Sequence, residues 1–310
     1  MTSRSLIIGA VAALLTLGAC SKGQTADSAA SAASSDPVLL IEAGAEPRSE
    51  LRYKITDGTI TKSNMDFRLA TLAQTSAATA LAVVPGVRLH IVSGPSMRTD
   101  DGIQFEVNID KAEAMIPEGV DPAVAEDLRQ SAAILDKVGG AVVIDNRGFV
   151  RSTKLNQRAS NPDLPPRLLL RLINARTTLA RVVLPAEPVG VGAQWEAEKE
   201  IVIYGFQIKQ VDTYTLVDRV GDEIKLSVSV VQTAQPQTVD FPEDGVSLAV
   251  ENMSAKARGE IVLNLNALES DAAAAGESNS VLMASSEGAT QKVEVSEAFE
   301  VRMTNTTALE

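Results

Sequence analysis

Reactive side chains are scarce in these 310 residues, and each is limited by what stands beside it. Cys20 is the one cysteine, so it forms no intramolecular disulfide, and its thiol is left as a nucleophile, a metal ligand or a point of covalent attachment. His90 is the one histidine; it lies between Leu89 and Ile91 and, under strand alternation, shares the face of Arg88 and Val92 rather than that of Leu89. No Gly-x-Ser-x-Gly occurs, and Gly94-Pro95-Ser96-Met97-Arg98 is the nearest approach to that serine elbow. Zinc would need Cys or His ligands that the chain lacks. Asp100-Asp101 and Glu243-Asp244 are candidate calcium contacts, but no Asp-x-Asp-x-Asp-Gly loop surrounds them, and Asp-Gly pairs are ordinary turn chemistry. A carboxylate pair for glycoside chemistry is a spatial arrangement that leaves no local mark, although an aromatic content of 3% argues against a sugar-stacking cleft. The expectation is a protein that is not an enzyme, with no catalytic residue, no metal site and no cofactor.

Cys20 is the exception, because of what precedes it. Arg4 supplies a positive start, and Leu6 to Leu17 form an apolar stretch of the length of a signal-peptide core, too short to span a bilayer. It runs into Leu17-Gly18-Ala19-Cys20: a large aliphatic residue, two small ones and a cysteine. This resembles the lipobox of bacterial lipoproteins. The resemblance implies a signal peptide over 1–19 and lipid attachment, diacylglycerol and a palmitate-type acyl chain, at Cys20. At about 0.8 kcal/mol per buried methylene, two or three acyl chains make a lasting anchor. Ser21-Lys22 lacks the Asp that, in the enterobacterial rule, retains lipoproteins in the inner membrane, so the expected address is the outer membrane, facing the periplasm. Residues 20–37, rich in Ser and Ala without an apolar stripe, read as a flexible tether spanning roughly 20 to 25 Å; its alanines leave a helix as the alternative.

Charge narrows the partners. Of 28 basic residues only Arg4 lies in the signal segment, which leaves 27 against 40 acidic ones. Nucleic acid is excluded as a partner, since binding it requires a basic patch that displaces counterions. Anionic headgroups would likewise repel the surface, so membrane contact is expected through the lipid on Cys20 rather than through charge.

Residues 38–310 are expected to form a single β-rich domain positioned by period-two alternation. Leu51, Tyr53 and Ile55 lead to an Asp57-Gly58 turn, and Met65, Phe67 and Leu69 are predicted to return and pair with them. Val87, Leu89 and Ile91 repeat the pattern. Ile103, Phe105, Val107 and Ile109 oppose Gln104, Glu106, Asn108 and Asp110 in the cleanest amphipathic strand. Ala141–Ile144 and Phe149–Thr153 flank a tight turn at Asp145–Gly148. Beyond Trp195, strands are predicted at 200–204, 208–218, 223–232, 247–253, 260–268, 280–285 and 292–303. Two helices should cover the sheet. One is capped by Asp121-Pro122, carries Val124, Leu128, Ala132, Leu135 and Val138, and ends at Gly139-Gly140; the other runs from Leu164 to Pro185 with a leucine-rich face, for which a membrane-surface role is the alternative. The fold class is therefore mainly β (α+β): an antiparallel curved sheet or half-barrel meander with two covering helices. No fixed-period repeat supports a propeller or solenoid.

The stretch Leu184-Pro185-Ala186-Glu187-Pro188-Val189-Gly190-Val191-Gly192-Ala193-Gln194-Trp195 resembles a family of uncharacterised secreted and lipidated bacterial envelope proteins, in which a Leu-Pro segment, a Pro-Val-x-x-Gly turn and a Trp lead into a β-meander. The resemblance implies a shared fold without an assigned activity. Trp195 is expected to plug one end of the sheet; a ligand-stacking role is the sharper alternative. Two functions follow as expectations: a non-catalytic structural or interaction module meeting an envelope protein, or a carrier of a lipid or other hydrophobic ligand in a half-barrel cavity. A carrier needs a contiguous apolar cavity of several hundred Å³.

Overall fold

The computed structural model describes residues 37–156, 181–203, 205–241, 245–286 and 289–306. The expected signal segment, Cys20, the tether as far as Asp36, Glu243-Asp244 and residues 164–180 of the second expected helix lie outside them. One antiparallel sheet of 14 strands dominates. Its N-terminal strands are β1 (Val38–Glu42), β2 (Thr61–Gln74), β3 (Thr79–Ser93), β4 (Met97–Thr99), β5 (Gly102–Met115), β6 (Gly139–Ile144) and β7 (Val150–Leu155). The C-terminal set comprises β8 (Gln194–Ile203), β9 (Phe206–Val220), β10 (Glu223–Ala234), β11 (Gln237–Phe241), β12 (Val246–Asn264), β13 (Asp271–Ser286) and β14 (Ala289–Asn305). Spatial order is β1-β8-β9-β10-β12-β13-β14-β2-β3-β5-β6-β7, with β11 on β12 and β4 on β5. Two meanders are thus joined by the pairing of β14 with β2. Val38 of β1 and Ile144 of β6 share one core, so the sheet curls and brings its outer strands together without closing.

Alternation decides the faces. Along β9, Phe206, Ile208, Gln210, Asp212, Tyr214 and Leu216 all point inward; along β14, Lys292, Glu294, Ser296, Glu300, Arg302 and Thr304 all point to water. A shift of register between Val250 and Asn252 moves the inward set of β12 from even to odd positions.

Three expectations require correction. Leu51, Tyr53 and Ile55 are buried and alternate as predicted, but they do not pair with β2, which lies between β3 and β14. Instead their segment crosses one end of the curled sheet. Tyr53 N–H donates to Asn146 O at 2.8 Å and Lys54 N–H to Leu265 O at 2.7 Å, while Ser49 and Val189 exchange two bonds of 3.0 Å. The backbone finds partners in three loops rather than one strand.

Two covering helices are not found among the described residues. These hold one, α1 (Pro122–Ala133), capped as predicted by Asp121, whose carboxylate accepts from Ala123 N–H at 2.8 Å. It packs on β5, buries Ala125 and Ala132, leaves Val124 half exposed, and stops before Leu135 and Val138 enter the core. Gly139 does not end it. A Cβ there would meet Val107 O at 2.1 Å, so glycine permits the close approach of β6 to β5. Of the second helix, the described residues 181–184 are not helical: Val182 and Leu184 are fully buried, and Leu184 N–H donates to Arg147 O. Among the described residues, curling of the sheet and the crossing segments at 43–59 and 181–193 cover the inner face.

The strands at 247–253 and 260–268 are one strand of 19 residues, and β13 begins at Asp271, nine residues earlier than alternation suggests. Asp271-Ala-Ala-Ala-Ala-Gly has little strand propensity, yet its residues lie in register between β12 and β14 on both sides.

Candidate functional site

The inner face is divided into three levels. A large apolar cluster fills the end crossed by residues 43–59; it includes Trp195, Tyr214, Phe105, Leu51, Met65 and Ile261. A smaller one, with Phe206, Ile208, Val246, Leu248, Val250 and Val293, occupies the other end. Between the two lies a polar belt contributed by strands on both sides of the sheet: Lys199, Gln210, Asp212 and Gln232 from β8, β9 and β10, and Thr71, Ser278 and Glu297 from β2, β13 and β14. Asp212 is buried and bonded to Lys199 Nζ at 2.8 Å and to Gln210 Nε2 at 2.6 Å; Gln232 reaches Gln210 at 2.7 Å. Ser278 donates to Glu297 at 3.0 Å. A buried charge demands such partners, and their presence here breaks the apolar continuity of the inner face. Burial, reinforced by the Asp212 carboxylate, pushes the Tyr214 phenol well above its ordinary value.

A second buried polar group lies near the crossed end, where Ser93 donates to Glu269 and Arg181 stacks over Phe105 at 4.7 Å. All three polar residues are enclosed, which leaves a substrate no access.

The outer face carries an open groove. It measures about 430 Å³ and runs over β13, where Ala273 and Ala275 form a floor between long charged side chains. Register places Arg258, Ala275, Glu300 and Arg68 in one row and Glu260, Ala273, Arg302, Asp66 and Arg88 in the next. The walls on β12 and β14 stand two strand spacings apart, about 9.6 Å. Arg88 grips Asp66 with two bonds of 2.7 Å, and that bonding holds the Asp66 carboxyl below the usual aspartate range against the opposing effect of burial. Arg68 meets Glu300 at 3.5 Å and Lys225 meets Glu260 at 3.5 Å. Arg258 and Arg302 close no ion pair among the described residues.

The residues singled out by the sequence do not gather here. His90 lies on the outer face, 3.1 Å from Glu113. Ser96 is buried in turn bonds with Thr56 and Thr59. Asp100-Asp101 form the exposed β4–β5 turn, and among the described residues no three His, Cys, Asp or Glu side chains converge as a metal site. Trp195 is fully buried, stacked on Tyr214 at 5.6 Å and bonded to Val183 O at 2.8 Å, so its rings offer nothing for a ligand to stack on. The groove arginines carried no local signal, because alternation assigns each to a solvated face and is silent about which strand lies alongside. The alanine run was the available clue.

No protein-family model matches the sequence, and no curated protein does. Among solved structures, OccK11 (OpdR) of Pseudomonas aeruginosa is similar at 7% identity over 82% of this chain and 99% of that one, with a TM-score of 0.24. OccK2 (OpdF) of the same organism gives 8% identity, 82% and 100% coverage and 0.22; OccAB4 of Acinetobacter baumannii gives 8%, 82% and 99%, and 0.21. Overlap at this level carries no argument about this chain.

Proposed function

We propose that the protein is a non-catalytic interaction module, held by lipid on Cys20 at the periplasmic face of the outer membrane, with the outer face of its sheet as the docking surface. The observation that supports this most is the distribution of faces. A lipid-facing barrel turns an apolar band outward, whereas here Lys292, Glu294, Glu300 and Arg302 of one strand alone face outward. A carrier of hydrophobic ligands needs a continuous apolar interior, and the belt around Asp212 interrupts it. Docking needs an exposed, shaped and charged surface, which the groove over Ala273 and Ala275 supplies.

The test is a photo-crosslinking residue at position 298 of the full chain in its own envelope, an exposed outward position of β14 beside the groove that leaves the alanine floor intact. A discrete adduct from there, with none from position 126 on α1, is the expected result; equal background from both sinks the docking reading. The anchor is tested separately. Cys20→Ser is expected to abolish acylation and release the chain from membranes under carbonate wash, and retention of that variant would overturn the anchor. Native mass spectrometry of the detergent-released chain addresses the carrier: a stoichiometric lipid beyond the covalent acyl chains would replace the module reading.

A further inference from the structure

We propose that the outer groove is a receptor for one compact anion, a carboxylate or phosphate group, seated on the methyls of Ala273 and Ala275 and held by Arg258 from one wall and Arg302 from the other. The inference deepens the docking reading and rests on it. Three guanidinium groups, Arg68, Arg258 and Arg302, line this groove in a chain whose net charge is −12. Of the carboxylates beside them, Asp66 is taken by Arg88, Glu260 lies with Lys225, and Glu300 meets Arg68 only at the long distance of 3.5 Å. Arg258 and Arg302 are left as forked donors on opposite sides of a floor without side chains long enough to answer them. Planar guanidinium groups suit the oxygens of carboxylate and phosphate, with which they form paired, charge-assisted bonds.

Selectivity follows from the ends of the floor. The next outward residues of β13 are Asp271 on one side and Glu277 on the other, both exposed. They repel an extended polyanion and leave room for a single charge near the centre. The two alanine methyls give the neutral body next to that charge a small apolar contact. One chemistry therefore has two sources: the carboxylate at the end of a polypeptide, or a phosphate group.

The full-length protein in detergent would be titrated calorimetrically with inorganic phosphate, and with acetyl-Gly-Ala-Ala as the free acid and as the amide. Binding of the acid or of phosphate, without binding of the amide, is expected. Arg258→Gln with Arg302→Gln should weaken it by at least about tenfold. Ala275→Leu, which fills the floor without altering charge, should do the same, and Arg129→Gln on α1 should not. Binding of the acid alone identifies a chain end as the source; binding of phosphate alone identifies a phosphate group. No binding of either anion, equal binding of the amide, or indifference to both groove variants overturns the proposal. Crosslinks from position 298 without anion binding would sink this inference and keep the docking reading; anion binding without crosslinks would leave a small-anion site and sink the docking reading.

Discussion

Asp66 borders the groove yet belongs to Arg88, and the pair shows how one residue sets the charge of its neighbours. With Asp66 engaged, Arg302 beside it keeps its donors for a ligand. The folded-state pKa of Asp66 is depressed, so the pair stabilises fully above the ordinary aspartate value of about 3.9 and loses its contribution as pH falls through the depressed value. Arg88→Gln is expected to cost about 1 kcal/mol at neutral pH, discounted for the exposure of the arginine, and the deficit should disappear in acid. Urea denaturation of both proteins at pH 7 and at progressively lower pH measures this. Trp195 has the opposite character. Fully buried and without a free ring face, it is expected to cost about 3–5 kcal/mol on change to alanine, while anion binding at the distant groove is unchanged. Calorimetry on the variant separates the two effects.

Single strands and turns obey their neighbours more than their own composition. β5 forms where Ile103, Phe105, Val107 and Ile109 predict it, because local alternation and burial agree. β13 does not announce itself: its alanines are held by ladders on either side, and the same lack of side chains makes the groove. At the crossed end, Gly190 lies so close to Ala45 that an added Cβ would stand 1.7 Å from its carbonyl oxygen. Gly190→Ala is therefore expected to cost about 3 kcal/mol or more, by wedging the segments apart. Gly192→Ala, with φ at +86° but nothing within 4 Å, should cost only about 1 kcal/mol. Thermal or urea unfolding of the two variants side by side checks the contrast.

Across the whole molecule, two apolar clusters on one sheet imply uneven stability. The end closed by residues 43–59 has the larger core, and the far end rests on the smaller cluster around Phe206, Val250 and Val293. Amide exchange should be slower around Leu216, Ile261 and Met303 than around Ile208, Leu248 and Val295. Phe206→Ala is expected to speed exchange at the far end and leave the first group protected; a uniform increase would show instead that the sheet opens as one unit.

Composition and periodicity determined the antiparallel β class, the inward residues of most strands, the burial of Trp195 and the cap of α1, because each depends on residue types a few positions apart. Partners far apart in sequence were decided only in three dimensions. The pairing of β14 with β2, the segment crossing the sheet end, and the convergence of Arg68, Arg258 and Arg302 join distant parts of the chain, and no local period records them. Among the described residues the sheet curls to bury its own inner face, with the crossing segments at 43–59 and 181–193 packed at one end. A groove exists where four strands, β12, β13, β14 and β2, meet in register, and register is a property of the ladder rather than of any strand within it.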